Sequence, residues 1–155
     1  MQAVKISENI YWVGAIDWNL RNFHGYLTQR GSTYNAYLII DEKITLIDNV
    51  KAYCADEMIA RISSVINPEK IDIIVQNHIE MDHSGSLPKI VSLAPKAQIY
   101  CSPNAVKGLK QHYNTTNWNF NPVKTSQILS LGKHSLNFTL TPMVHWPDNM
   151  VTYCP

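Results

Sequence analysis

A chain of 155 residues, 45% hydrophobic and 16% charged, holds enough apolar material for one packed domain or for part of a larger one, which excludes a disordered chain. Thirteen Lys and Arg against twelve Asp and Glu leave a formal charge of +1 with no basic stripe or acidic tail, so nothing favours nucleic acid or an anionic membrane surface. No apolar run reaches the length of a membrane span, and Cys54, Cys101 and Cys154 form no CxxC pair, which predicts buried thiols in a reducing cytoplasm.

The opening stretch MQAVKISENIYWVGA lacks the charged end and apolar centre of a signal peptide and reads as strand from the outset. NIYWVGA and TYNAYLII are rich in aromatic and β-branched residues, and KITLID follows the turn-forming DEK, so the first fifty residues are expected to be β-structure. Over residues 52–66 the period changes. Ala55, Met58, Ile59, Ile62, Val65 and Ile66 fall on one face of an amphipathic helix, which Asn67-Pro68 stops. IDIIV, residues 71–75, reads as a strand buried on both faces.

After the cluster that follows it, Ser86 is placed to cap a short helix running to Leu93, with Pro88 in its first turn. QIYC is a further strand, and Ser102-Pro103 opens a second helix with Val106, Leu109 and Tyr113 on its inner face. HYNTTNWNFNP reads as loop, and SLNFTLTP alternates as a half-buried strand does. Strands first and then β-α-β-α-β predict an α/β layered domain with helices packed on sheet. The chain stops at MVTYCP, inside a β-rich apolar stretch without turn or cap, which leads us to expect a fragment.

Between these elements, QNHIEMDHSG puts two of the six histidines and two carboxylates into six consecutive positions, His78 to His83. Chance assembly of His-x-Glu-x-Asp-His from this composition is roughly 3 in 10,000 for the whole chain, which favours a metal site over a solvated loop with a helix cap. In an extended segment His78, Glu80 and Asp82 point the same way, while His83 can turn toward a different point, so one loop can serve two adjacent metal ions. Gly85 is expected to allow a tight bend afterwards. Imidazole with carboxylate and no thiolate suits iron, manganese or zinc and argues against a zinc finger. TPMVHWPDN offers a second segment. A lone histidine after a strand is ordinarily a polar loop residue, but His145 stands in a chain whose first cluster is short of ligands.

Read together, NHIEMDHSG and HWPD resemble the metallo-β-lactamase-like domain of the flavodiiron proteins, also called A-type flavoproteins. The likeness extends to DWNLRNFHGYLTQRGSTYNAYLI and LIDNV, and so covers essentially the whole chain. It implies an α/β fold, the metallo-β-lactamase-like αββα sandwich, incomplete at its C-terminal side. Residues 1–155 would be the N-terminal portion of the diiron domain, with the family's flavodoxin-like FMN domain outside this chain. The wider superfamily carries His-x-His-x-Asp-His and binds zinc for hydrolysis. Glu80 in place of the second histidine is the mark of the diiron branch.

The resemblance further implies two nonhaem irons, with His78, Glu80 and His145 on the one nearer the flavin and Asp82 and His83 on the other. The bridging aspartate and final histidine of the family have no counterpart here, and Asp148 belongs to the HWPD pattern and is expected in a turn or behind a ligand. His24, in NFHGY, would be the catalytic hydrogen-bonding residue over the diiron pocket. The implied activity is an FMN-coupled reduction of dioxygen to water or of nitric oxide to nitrous oxide. The implied partners are an electron donor such as rubredoxin and a second copy in a head-to-tail homodimer, with neither nucleic acid nor membrane. A zinc-dependent hydrolase and a non-catalytic fragment are the alternatives. Among other residues, Asp48 could brace the metal loop, Tyr34 and Tyr37 read as core or cross-strand residues, and Trp146 has a seat beside the site. His112 and His134 read as solvated.

Overall fold

The computed structural model describes residues 1–155. A seven-stranded sheet runs in the order Val4–Ser7, Ile10–Trp12, Tyr37–Ile39, Thr45–Ile47, Ile73–Gln76, Gln98–Cys101 and Asn119–Pro122. The first four strands pair antiparallel and the rest parallel, and the change falls where helical crossovers begin to separate the strands in sequence. A second, antiparallel sheet combines Ile128–Ser130, Ser135–Leu140 and Met150–Tyr153.

Side-chain alternation divides the apolar residues between two cores. Leu38, Leu46, Ile74 and Ile99 face the helices Ala55–Ser63, Leu87–Leu93 and Pro103–His112, whose Met58, Ile62, Leu87, Ile90, Ala105 and Leu109 complete the larger core. Ile39, Ile73 and Val75 point the other way and meet Leu136, Phe138 and Met150 of the small sheet. The layers are therefore helix, sheet and sheet, the metallo-β-lactamase-like arrangement. Ile128, Val151 and Tyr153 on the small sheet stay exposed, so the fourth, helical layer of the αββα sandwich is not built from these residues.

The helix expected over 52–66 forms as a 3-10 turn at Ala52–Cys54 continuing into Ala55–Ser63. Asn67 then accepts from the Glu69 amide (3.1 Å) and starts a new turn. Ser102 caps its helix as expected, accepting from the Ala105 amide at 3.0 Å. Three local expectations are corrected. Asn119–Pro122, read as loop, is a parallel edge strand on Gln98–Cys101, where pairing with a neighbour overrides poor propensity and Pro is tolerated at an edge. Ser86 precedes the helix Leu87–Leu93 but makes no side-chain cap; its Oγ accepts from the Val50 amide at 3.1 Å.

His134, read as solvated, is bound. Asp41 Oδ2 accepts from both its backbone amide (2.7 Å) and its Nδ1 (2.8 Å), and Asp41 Oδ1 accepts from Lys133 N (3.1 Å). This lock ties the turn before Thr45–Ile47 to the hairpin of the small sheet. The His134 amide, opposed by desolvation and helped by its ring, holds the Asp41 carboxyl well below the ordinary carboxylate range. A carboxyl depressed in the folded state stabilises the fold above its unfolded value of about 3.9, and that stabilisation is lost as pH falls through the folded pKa. Asp41→Asn is expected to lower Tm at neutral pH, with the gap to the unsubstituted chain closing below about pH 4. Thermal melts followed by circular dichroism over that range read it, and equal melting points at neutral pH would show that the lock contributes nothing.

Candidate metal centre

The cluster begins directly after the carboxyl end of Ile73–Gln76, where open α/β sheets place ligands. Its first half is extended, but Met81–Ser84 is a short helix, so Asp82 does not continue the alternating spacing of His78 and Glu80. Gly85 is corrected in the same way. Its φ of −60° is helical, and what demands glycine is close approach, since a Cβ there would stand 2.5 Å from Met81 O and 2.6 Å from Ala52 N.

His78 is nearly fully buried. Its Nδ1 lies 2.9 Å from Asp148 Oδ2, which also accepts from the Ile79 amide at 2.9 Å. With Nδ1 donating to the carboxylate, Nε2 is the ring atom left to face the site. Asp148 is held in turn, its backbone oxygen accepting from Ser102 Oγ at 2.6 Å, and it plays the bracing part expected of it. Burial opposes the imidazolium at His78, but Asp148 and Glu80 outweigh it and raise the pKa above the ordinary value. Desolvation likewise works against the Asp148 carboxylate, and the His78 and Ile79 hydrogen bonds bring its pKa below the usual one.

The carboxylate of Glu80 is the meeting point. Oε2 lies 3.3 Å from His78 Nε2 and 3.6 Å from His145 Nε2, and Oε1 lies 2.9 Å from His24 Nε2. Ligand atoms of His78, Glu80 and His145 all fall within 4.8 Å of one another, an arrangement able to hold a cation. The His145 and Trp146 rings stand 4.9 and 5.2 Å from that of His78, and Trp146 takes the expected seat beside the site. His24 arrives on a hairpin in which Asn22–Phe23 pairs with Tyr26–Leu27. His24 (φ 52°) and Gly25 (φ 80°) occupy the two-residue turn between them, the left-handed pair that a type I′ turn requires.

Asp82 and His83 do not join that trio. They pair with each other, Oδ2 to Nε2 at 3.5 Å, and the His83 ring lies 5.3 Å from that of His78. His83 Nδ1 faces Asp48 Oδ2 at 3.6 Å, whereas Asp82 Oδ1 is buried without a hydrogen-bond partner, and a buried polar atom of that kind calls for a ligand. Burial opposes the His83 imidazolium, but Asp48, Asp82 and Glu80 raise its pKa.

Sequence reasoning missed two residues that hold the loop. The fully buried Gln76 Nε2 donates to the backbone oxygens of His78 (2.7 Å) and His83 (2.8 Å), and its Oε1 accepts from Asn49 Nδ2 (2.9 Å). Asn77 joins the sheets, its backbone oxygen accepting from Met150 N (3.0 Å) and its Oδ1 from Thr152 Oγ1 (2.6 Å). Amides in a strand end carry no special signal, and only their position one and two residues before a ligand could have raised them. Asp48 braces the loop as expected, accepting at Oδ1 from the Asn77 amide (2.8 Å) and at Oδ2 from Asn77 Nδ2 (3.1 Å).

A helix-sheet-sheet domain with histidines and carboxylates converging at the strand ends is a metallo-β-lactamase-like domain with a candidate metal site. The chain belongs to the family described as ODP family beta lactamase, which matches residues 33–155. It is 49% identical to a nitric oxide reductase of Moorella thermoacetica, with 99% of this chain covering 39% of that protein. Among solved structures it is similar to rubredoxin oxygen:oxidoreductase from Desulfovibrio gigas (46% identity, TM-score 0.92, 98% of this chain and 38% of that one). It is also similar to the flavodiiron protein from Giardia intestinalis (39% identity, TM-score 0.95, 100% and 38%). The chain thus spans less than two fifths of the length of each of these three relatives.

Removing the carboxylate behind a ligating histidine typically weakens metal binding about 10–100-fold. Asp148→Ala is expected to lower iron or zinc affinity by that order, measured by competition with a chromophoric chelator. Unchanged affinity would mean that His78 keeps its orientation without Asp148.

Proposed function

We propose that residues 1–155 are the N-terminal portion of the diiron domain of a longer flavodiiron oxidoreductase that reduces dioxygen to water, nitric oxide to nitrous oxide, or both. The observation that carries this reading is Glu80. Its carboxylate sits among three imidazoles without thiolate, a donor set richer in oxygen than an all-histidine site and suited to iron. His78, Glu80 and His145 would hold one iron. Asp82 and His83 would contribute to the second, with further ligands from residues outside this chain, and the unpartnered Asp82 Oδ1 beside His83 Nε2 supports that assignment. Iron, when bound, supplies the redox chemistry and a seat for a diatomic substrate.

The chain's own residues do the positioning. Asp148 keeps the proton of His78 on Nδ1, so that Nε2 stays free to ligate. His24, about half exposed, presents Nε2 beside Glu80 as a hydrogen-bonding, catalytic residue facing substrate. FMN would come from a flavodoxin-like module, and in a head-to-tail homodimer from the partner subunit. Exposed Tyr26, Leu27, Met143, Val144 and Trp146 flank His24 and His145 in sequence and offer apolar surface for such a flat ring. The name of the Desulfovibrio gigas protein supports an electron donor such as rubredoxin or a reductase of similar type. Three free cysteines, and the lack of any helix long and apolar enough to cross a membrane, support a cytoplasmic setting.

Two substitutions in the full-length protein test the reading. Glu80→His is expected to shift metal content from iron toward zinc and to lower reductase turnover, read by elemental analysis and by oxygen and nitric oxide consumption. Unchanged iron and turnover would remove Glu80 as a ligand. His24→Asn is expected to keep the iron and to change the ratio of oxygen to nitric oxide turnover. Loss of iron would make His24 structural, and an unchanged ratio would return it to an ordinary loop position.

A further inference from the structure

The hairpin that carries His24 has little of its own to hold it in place. It consists of two residue pairs, Asn22 with Leu27 and Phe23 with Tyr26, and a two-stranded ribbon of that length is marginal in water. Tyr26 and Leu27 are 76% and 81% exposed, so neither anchors it. The side-chain hydrogen bonds of residues 20–28 stay within residues 18–28: Arg21 to Trp18 O and Leu20 O, Gly25 N to Asn22, and Thr28 to Leu20 O. The side-chain polar contact that takes the hairpin to the rest of the fold is His24 to Glu80.

Beside the hairpin stands a lysine with no carboxylate within 4.0 Å. Lys51 Nζ lies 4.7 Å from the centre of the Phe23 ring, 5.3 Å from that of Tyr34 and 6.0 Å from that of Tyr53. The two tyrosines share one carboxylate partner. Tyr34 is buried and donates to Asp17 Oδ2 at 2.8 Å, Tyr53 donates to the same oxygen, and the phenols lie 3.1 Å apart. Phe23 is the side of the cage that belongs to the hairpin, and its ring is 4.2 Å from that of His24.

The backbone of Lys51 is tied to the metal loop. Gly85 packs so closely on it that a Cβ would lie 3.1 Å from Lys51 Cα. Val50 N donates to Ser86 Oγ at 3.1 Å, and Ser86 N donates back to Val50 O at 2.8 Å. One residue therefore touches the ligand loop with its main chain and the His24 hairpin with its ammonium.

We propose that Lys51 is a positioning residue that binds the face of Phe23 as a cation and so sets His24 against Glu80. Its catalytic meaning rests on the function proposed above, but the clamp itself is a property of the fold. A cation over an aromatic face at a partly exposed site shifts a local equilibrium by about fivefold. In the full-length protein, Lys51→Met and Phe23→Leu are each expected to raise amide hydrogen exchange across residues 22–27 by that factor, with iron content unchanged. The double variant should exchange no faster than either single one, and Lys51→Arg, which keeps the cation, should retain protection. Lys51→Met should also change the ratio of oxygen to nitric oxide turnover as His24→Asn does, and should add nothing in that background. Unaltered exchange in Lys51→Met, additive effects of the pair, or Lys51→Arg failing as Lys51→Met does would each overturn the clamp. If Lys51→Met does not fold, Phe23→Leu decides from the other side of the contact. A protein without reductase activity would sink the proposed function and leave the exchange result to judge Lys51.

Discussion

The six residues His78 to His83, four of them ionisable, lie beyond the backbone ladder of the sheet, and the structure depends on the substitute that holds them there. The carboxamide of Gln76, fully buried at the end of the central strand, takes the place of the missing ladder by donating to His78 O and His83 O. Asp48 secures the next residue by accepting from both the main-chain and side-chain nitrogens of Asn77. Buried polar groups are costly when unpaired, and these bind a single loop geometry because few other geometries pair them all. Asp48 itself adopts φ 56°, a conformation that an aspartate tolerates better than most residues.

Orientation follows from that clamp through residues remote in sequence. His78 and Asp148 are 70 positions apart, yet the carboxylate reaches both the ring and the adjacent Ile79 amide. Asp148 is in turn gripped by Ser102 at the start of a helix, and Asn104 in that helix donates to Pro147 O at 3.0 Å. The second candidate segment is thereby docked on the rest of the fold, and His145 inherits its position from Asp148 three residues further on. The joint is continuous with the union of the two sheets, where Asn77 accepts from Met150 and Thr152.

The strand Ile73–Gln76 shows why the site stands where it does. Ile74 enters the helix-side core while Ile73 and Val75 enter the core between the sheets, so one four-residue strand is immobilised from both faces. A segment leaving such a strand starts from a rigid point. The His24 hairpin lacks that support, and it comes to the site from the exposed margin through contacts made by single side chains.

Much of this was legible in the residues. The apolar run IDIIV, the helical face from Ala55 to Ile62 and the Ser102-Pro103 start act through local composition, periodicity and capping, which the chain carries wherever it folds. The candidate metal-binding group was legible because His78 and Glu80 lie close in sequence and because ligand types are few. Tertiary structure alone decided the rest. Asn119–Pro122 became a strand only because Gln98–Cys101 offered it an edge, and His134 found Asp41 across 93 positions. Gly85 owes its identity to the backbone of Ala52 against it and not to its own dihedral angles. Whether Asp82 shares a direction with His78 was settled by a helical turn at Met81–Ser84. In each case the deciding energy is a contact between segments that local pattern does not encode, because a hydrogen bond or a close approach depends on where the partner chain segment arrives in space.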